Sequence, residues 1–198
     1  MHCVGVILAG GGATRFGGEP KGLRLVEGTR IIDRVAAALR GVADELLLIA
    51  NDPAADTWLP GVRTAADVRR GDGALGGLHA ALSHAGGHAV LVVAWDMPFA
   101  SEGLLRALRA AGEQGYDAVV PESETSGRGV EPLCAWYSPA CLPTIERCLD
   151  AGDRRVVSFF DAVRVSRLPA AEVSQYGDPA RIFFNVNRPD DLPLSPQP

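Results

Sequence analysis

At 198 residues, with 47% hydrophobic and 22% charged side chains, the chain can bury one sizeable core and has the composition of an ordinary folded domain. A formal net charge of −5, with no block of Lys or Arg, argues against general nucleic-acid binding, which rests on phosphate neutralisation. No apolar run approaches the roughly 18 residues of a membrane span, and Met1-His2-Cys3 puts no basic segment ahead of the first apolar run, so neither membrane anchor nor secretory leader is expected and the chain reads as cytoplasmic.

Apolar runs at residues 4–9, 45–50, 62–65, 88–94, 118–120, 133–137 and 163–168 predict strands. Helical patterns fall at residues 31–39, 75–84, 102–111, 141–149 and 156–161. This alternation predicts an α/β fold, a Rossmann-like three-layer sandwich around a mostly parallel sheet. One domain is expected over residues 1–192, with a proline-rich, disordered tail at 193–198. Cys3, Cys134, Cys141 and Cys148 form no CxxC pair and are expected to be reduced and mostly buried.

Sheets of this kind bind ligands beyond the carboxyl ends of their strands, so the residues that follow each strand carry the functional signal. The first strand runs into LAGGGATRFGGEPKGL, residues 8–23, with six glycines and the cations Arg15 and Lys21. Gly10, Gly11 and Gly12 can turn backbone N–H groups towards an anion, and the two cations suit phosphates. The stretch matches neither a P-loop nor GxGxxG, and a plain surface turn stays open as the alternative.

Asn51 follows the second strand, where it can contact a base or ribose or cap the next helix. Asp67 follows the third, ahead of the glycine-rich opening of a helix at Gly71-Asp72-Gly73-Ala74-Leu75-Gly76-Gly77. The fourth strand is apolar throughout, as a central parallel strand should be, and ends in Trp95-Asp96-Met97-Pro98. A carboxylate there suits Mg²⁺, which takes one or two carboxylates together with phosphate oxygens. Asp96 lies too early to cap the helix that starts near Ser101. Near the end, alternation puts Asn185 and Asn187 on one side of an extended segment, and Pro189 can open a short helix.

These motifs, in this order, resemble the molybdenum cofactor guanylyltransferases, a branch of the nucleotidyltransferases with a nucleotide-diphospho-sugar-transferase-like fold. The likeness spans Leu8-Ala-Gly-Gly11 with Arg15 and Lys21, Leu75-Gly-Gly-Leu78, Asp96-Met-Pro-Phe99, Ala151-Gly-Asp-Arg-Arg155 and Phe184-Asn-Val-Asn-Arg-Pro-Asp-Asp-Leu192. Pro20 stands before the lysine where the family usually has an acidic residue.

The resemblance implies transfer of GMP from GTP to molybdenum-bound molybdopterin, with Mg²⁺ as cofactor and pyrophosphate as the second product. It implies no nucleic-acid or membrane partner, and it leaves room for proteins that deliver molybdopterin or mature molybdoenzymes. It casts Arg15, Lys21 and Asp96 as the catalytic set, with Asp96 as the metal ligand. Leu8, Ala9, Gly10, Lys21, Asn51, Asp67 and Asp96 are its nucleotide contacts. Arg155, ahead of Arg154, would face the pterin with Asn185 and Asn187. Cytidylyl or another nucleotidyl transfer is the alternative within catalysis, and a non-catalytic nucleotide-binding module the alternative outside it.

Overall fold

The computed structural model describes residues 1–10, 20–124, 126–187 and 191. The chain opens with strand β1 (Cys3–Ala9) and a small hairpin of β2 (Leu25–Val26) and β3 (Thr29–Arg30). Helix α1 (Ile31–Arg40) leads to β4 (Glu45–Ala50) and β5 (Arg63–Ala65). Then come α2 (Gly73–His84), β6 (Ala89–Ala94), α3 (Glu102–Gly112), β7 (Ala118–Ser123), β8 (Gly129–Val130) and β9 (Cys134–Tyr137). The last elements are α4 (Leu142–Asp150), β10 (Val165–Leu168) and the short helices α5 (Ala170–Val173) and α6 (Pro179–Ile182).

Among the described residues, eight strands form one sheet in the order β10-β7-β9-β6-β1-β4-β5, with β8 beside β7. β1 pairs in parallel with both β4 and β6, and β4 with β5. β9 is inserted antiparallel between β6 and β7. The α/β sandwich with a mostly parallel sheet is thus present, and β9 makes the sheet mixed. No described helix is long and apolar enough to cross a membrane.

Alternation along β1 builds both layers of the core. Cys3 and Ile7 face one cluster, which also holds Ile32, Val35 and Leu39 of α1 and Leu104, Leu105 and Leu108 of α3. Val4, Val6 and Leu8 face the other, with Leu75, Leu78 and Leu82 of α2 and Ile145 and Leu149 of α4. Period two in the strand and 3.6 in the helices meet across each face. Gly5 makes room for β4 and the turn after α1: a Cβ there would stand 2.8 Å from Leu46 Cδ2 and 2.9 Å from Ala43 Cβ, with Leu39 Cβ of α1 at 3.3 Å.

Two expectations change. Residues 156–161 form turns, and the only regular piece nearby is a single 3₁₀ turn over Phe160–Ala162. Their apolar spacing serves packing instead: Phe159 is fully buried, its ring 6.0 Å from that of Tyr137. The last strand starts at Val165, because the Asp117 carboxylate takes the Arg164 N–H at 2.9 Å before pairing with β7 begins. The tail at 193–198, Pro189, Gly11 and Gly12 lie outside the described residues. Cys3, Cys134 and Cys141 are buried free thiols, and Cys148 is half-buried.

Candidate functional site

After β5 the chain crosses back, and β6 takes its place on the other side of β1 from β4. A reversal of this kind opens a crevice at the carboxyl ends of the strands. The crevice here is a cleft of about 720 Å³. β1 sends Leu8, Ala9 and Gly10 into it; β4 contributes Asn51 and Asp52, the turn after β5 Asp67, and the end of β6 Trp95 and Asp96. Gly71, Gly73, Ala74 and Gly77 bring the start of α2 over it with little side-chain bulk. Asn185 closes the rim, held by a backbone bond from Val186 N–H to the Asp96 carbonyl at 2.9 Å.

Lys21 and Asp96 meet beside this cleft. The Lys21 ammonium donates to Asp96 Oδ2, and both side chains are largely shielded, at 17% and 14% exposure. Among the described residues, Asp96 Oδ1 is buried with no hydrogen-bond partner. That is a costly state for a carboxylate oxygen, and it marks a place where a cation or donor can bind. Lys21 is also the only lysine in the sequence, every other basic side chain apart from histidine being arginine. Arg15 lies outside the described residues.

Asn51 and Asp67 form a reciprocal pair. Asn51 Nδ2 donates to Asp67 Oδ2 at 2.6 Å, and Asp67 N–H donates to Asn51 Oδ1 at 3.0 Å. The strand ends bring these residues together across parallel partners β4 and β5, and each side chain fixes the other's rotamer. Asn187 is exposed and outside the cleft lining; its backbone N–H donates to Asp191 Oδ2 at 2.8 Å.

The two arginines of the 151–155 turn diverge. Arg155 is 77% exposed and folds back on Asp153, whose carboxyl it pulls down to about 2; it does not line the cleft. Arg154 instead reaches Asp72 at 2.9 Å, at the opening of α2 between the lining residues Gly71 and Gly73. Of the two, Arg154 is the one tied to the cleft's edge.

Residues 5–167 match the model of the MobA-like NTP transferase domain family. The chain belongs to this family. Among curated relatives, the molybdenum cofactor guanylyltransferase of Desulfosudis oleivorans is 34% identical, with 95% of this chain and 91% of the relative covered. The probable molybdenum cofactor guanylyltransferase of Chloroflexus aggregans is 38% identical, with 98% and 93% covered. The crystal structure of molybdopterin-guanine dinucleotide biosynthesis protein A from Archaeoglobus fulgidus superposes with a TM-score of 0.78 at 26% identity, over 96% of this chain and 94% of that one.

In this MobA-like NTP transferase the cleft also has walls that strand-end reading missed. Trp58 and Trp95 line it as a stacked pair, ring centroids 5.4 Å apart and planes 19° from parallel. Trp95 stands directly after a strand, so its place was legible, but its bulk reads as core. Leu133 reaches the cleft because β9 runs antiparallel, which puts the start of β9 beside the end of β6; Ala94 N–H donates to the Leu133 carbonyl at 2.8 Å. No local pattern announces that reversal. Glu131, buried two residues earlier, accepts the Leu133 N–H on Oε1 at 3.3 Å. Burial lifts its carboxyl above the ordinary glutamate range, and the charge of Asp96 adds to the rise.

Proposed function

We propose that this chain transfers GMP from GTP to molybdenum-bound molybdopterin, giving molybdopterin guanine dinucleotide and pyrophosphate. The names of the relatives support the substrates. The observation that carries the chemistry is the Lys21–Asp96 pair at the mouth of a cleft built from strand ends, with one carboxylate oxygen left without a partner.

An oxygen of the molybdopterin phosphate attacks the α-phosphorus of GTP. The new P–O bond forms as the bond to the β-phosphate bridging oxygen breaks, and pyrophosphate leaves with that electron pair. A phosphate monoester is already nucleophilic near neutral pH, so no side-chain nucleophile is required. The work left to the protein is alignment and charge stabilisation between two anions.

Lys21 supplies a compact positive charge to the triphosphate once the nucleotide draws it from Asp96, and Arg15 adds a second cation to the same loop. Asn51 and Asp67, locked together, present fixed polar edges to the nucleoside. Leu8, Ala9 and Gly10 line the entry with apolar surface and backbone. Asn185 faces the pterin side from the rim, Asn187 continues the same segment, and Arg154 or Arg155 meets the pterin phosphate.

Asp96 suits a hard divalent cation: a single carboxylate with a free oxygen, beside space for phosphates, is what Mg²⁺ accepts. Bound Mg²⁺ would neutralise charge on the phosphates, and Asp96 would be the residue that holds it. The test is a nucleotide panel with purified protein, Mg²⁺ and molybdate-loaded molybdopterin, read as pyrophosphate release. GTP should support turnover and CTP should not; equal or faster turnover with CTP would overturn the guanylyl reading in favour of cytidylyl transfer.

A further inference from the structure

Lys21 and Asp96 are each the neighbour of a residue in a second contact. Gly22, next to Lys21, lies against the six-membered ring of Trp95, next to Asp96. A Cβ on Gly22 would fall 2.3 Å from Trp95 Cε3, 2.9 Å from Cδ2 and 3.0 Å from Cζ3. Real side chains do not approach so closely, so one of the two would have to move.

Neither can move easily. Trp95 is 4% exposed and stacks on Trp58. Its backbone N–H donates to the Leu8 carbonyl at 3.1 Å, continuing the β1–β6 ladder. Gly22 is buried in a 3₁₀ turn over Lys21–Leu23, which Leu23 N–H closes onto the Pro20 carbonyl at 3.0 Å and Arg24 N–H onto the Lys21 carbonyl at 3.1 Å. The turn is short and closed by both bonds, and its one glycine faces the indole.

We infer that the Trp95 indole is the seat that positions Lys21 over the carboxyl end of β6, and that Gly22 is required because only a bare backbone fits on that seat. Trp95 is thus a positioning residue acting through Lys21. The ion pair alone cannot set this geometry, since a lysine side chain has four rotatable bonds and can follow a carboxylate from many backbone positions. The flat contact fixes the backbone, and the ammonium then has one direction to reach Asp96 and the phosphate space. This rests on the reading of Lys21 and Asp96 as the phosphate- and metal-facing pair.

The test compares Gly22→Ala, Trp95→Leu and the double variant. Gly22→Ala should lower kcat with GTP by about 10–100-fold, the cost of misplacing a catalytic group by about an ångström. Trp95→Leu removes the ring atoms that the new methyl would strike, and the seat with them, so on its own it should lower kcat, though less than the clash does; near-normal kcat in Trp95→Leu would overturn the inference. The double variant should therefore turn over faster than Gly22→Ala, an interaction of the sign that a shared contact produces. Near-normal kcat and KM in Gly22→Ala, or a double variant no better than Gly22→Ala, would overturn the inference. If Gly22→Ala does not fold, a folded and active double variant supports the seat, and an unfolded one overturns it.

A second readout does not depend on transfer. Because Lys21 is the only lysine, [¹³C]lysine labelling gives a single Cε–Hε signal. Loss of its partner in Asp96→Asn should shift that signal. Gly22→Ala should shift it in the same direction, Trp95→Leu should shift it by a smaller amount because the seat is gone, and Gly22→Ala/Trp95→Leu should fall back to the Trp95→Leu position. A wild-type signal in Gly22→Ala would overturn the inference. The expected pattern in a protein that fails to use GTP would uphold the seat and sink the proposed reaction instead.

Discussion

The ammonium of Lys21 donates to Oδ2 of Asp96 across a sequence separation of 75 residues, and the other oxygen of Asp96 is buried without a partner among the described residues. A shielded charge pair with one unanswered lone-pair site is a poor stabilising device, since desolvation offsets the attraction. It is a good binding device, because a substrate phosphate can take the cation while a metal ion takes the anion.

Asp96→Asn keeps the size of the side chain and removes its charge. The variant should fold, with Tm within a few degrees of wild type, and should lose about 10²–10³ in single-turnover rate, the cost of one well-placed electrostatic group. Excess Mg²⁺ should recover little. Lys21→Arg keeps the charge and should still turn over poorly, because the planar guanidinium replaces a compact point charge at a place where backbone and indole leave no slack. A folded Asp96→Asn protein with a near-normal single-turnover rate would remove the metal role.

Among the described residues, the side chains of Asn51 and Asp67 are joined by a reciprocal pair of hydrogen bonds, so they should behave as one unit. Asn51→Ala and Asp67→Ala should each raise KM for GTP about 10-fold, the cost of one lost hydrogen bond to the nucleotide. The double variant should be little worse than the poorer single one, with a coupling of about 0.5–3 kcal/mol. Additive losses from steady-state kinetics would separate their roles.

Glu131 carries a pH signature. Its carboxyl is raised first by burial and then by the charge of Asp96, with the Leu133 N–H and Arg128 pulling the other way. A group whose folded pKa lies above its unfolded value binds a proton preferentially in the folded state. Its contribution is present below the ordinary glutamate range and is lost as pH rises through the folded value. Glu131→Gln keeps an oxygen for the Leu133 N–H and has no charge to bury. It should raise Tm at pH 8 by about 2–4 °C, the shift that ~1 kcal/mol makes in a chain of this size. The gain should vanish near pH 4. Melting curves across that range check it, and a gain that persists into acid would refute the charge argument.

The thiols divide by burial. Cys3 is pushed up to about 11 and Cys141 to about 12, and Cys134 rises further still, in each case chiefly because burial disfavours the thiolate. Thiolate is the reactive form, so at pH 8 these three should resist alkylation. Cys148 is the half-buried one and should react first. Peptide mapping after brief iodoacetamide treatment should find label at Cys148 alone, and at all four positions after denaturation; rapid labelling of Cys134 in the native protein would contradict its burial.

Much of this architecture was legible in the chain. A strand buried on both faces must be apolar throughout, so residues 88–94 read as central, and the residue after such a strand must stand at the sheet's edge. That pointed to Asn51, Asp67 and Asp96 at the strand ends and to the glycine-rich turn at Gly10, while Leu8 and Ala9 came from the family resemblance; all six line the same cleft. The helix expected at 156–161 failed because apolar spacing over six residues fits a packed turn as well as a helical one.

Periodicity and strand ends thus determined the layers, the central strand and the edge on which polar residues gather, because these depend on local alternation between core and solvent. The tertiary structure alone decided which distant residues touch. The antiparallel entry of β9 set Leu133 and Glu131 beside the end of β6, since strand direction is chosen by the paired neighbours and leaves no mark on the strand itself. Arg154 reached Asp72 while Arg155 turned back to Asp153, because two adjacent side chains in a turn point apart and only the surrounding surface settles which one finds the cleft. Lys21 found Asp96, and Gly22 found Trp95, by the same cause: contact between segments so far apart in sequence is fixed by how the sheet closes, a property of the whole fold.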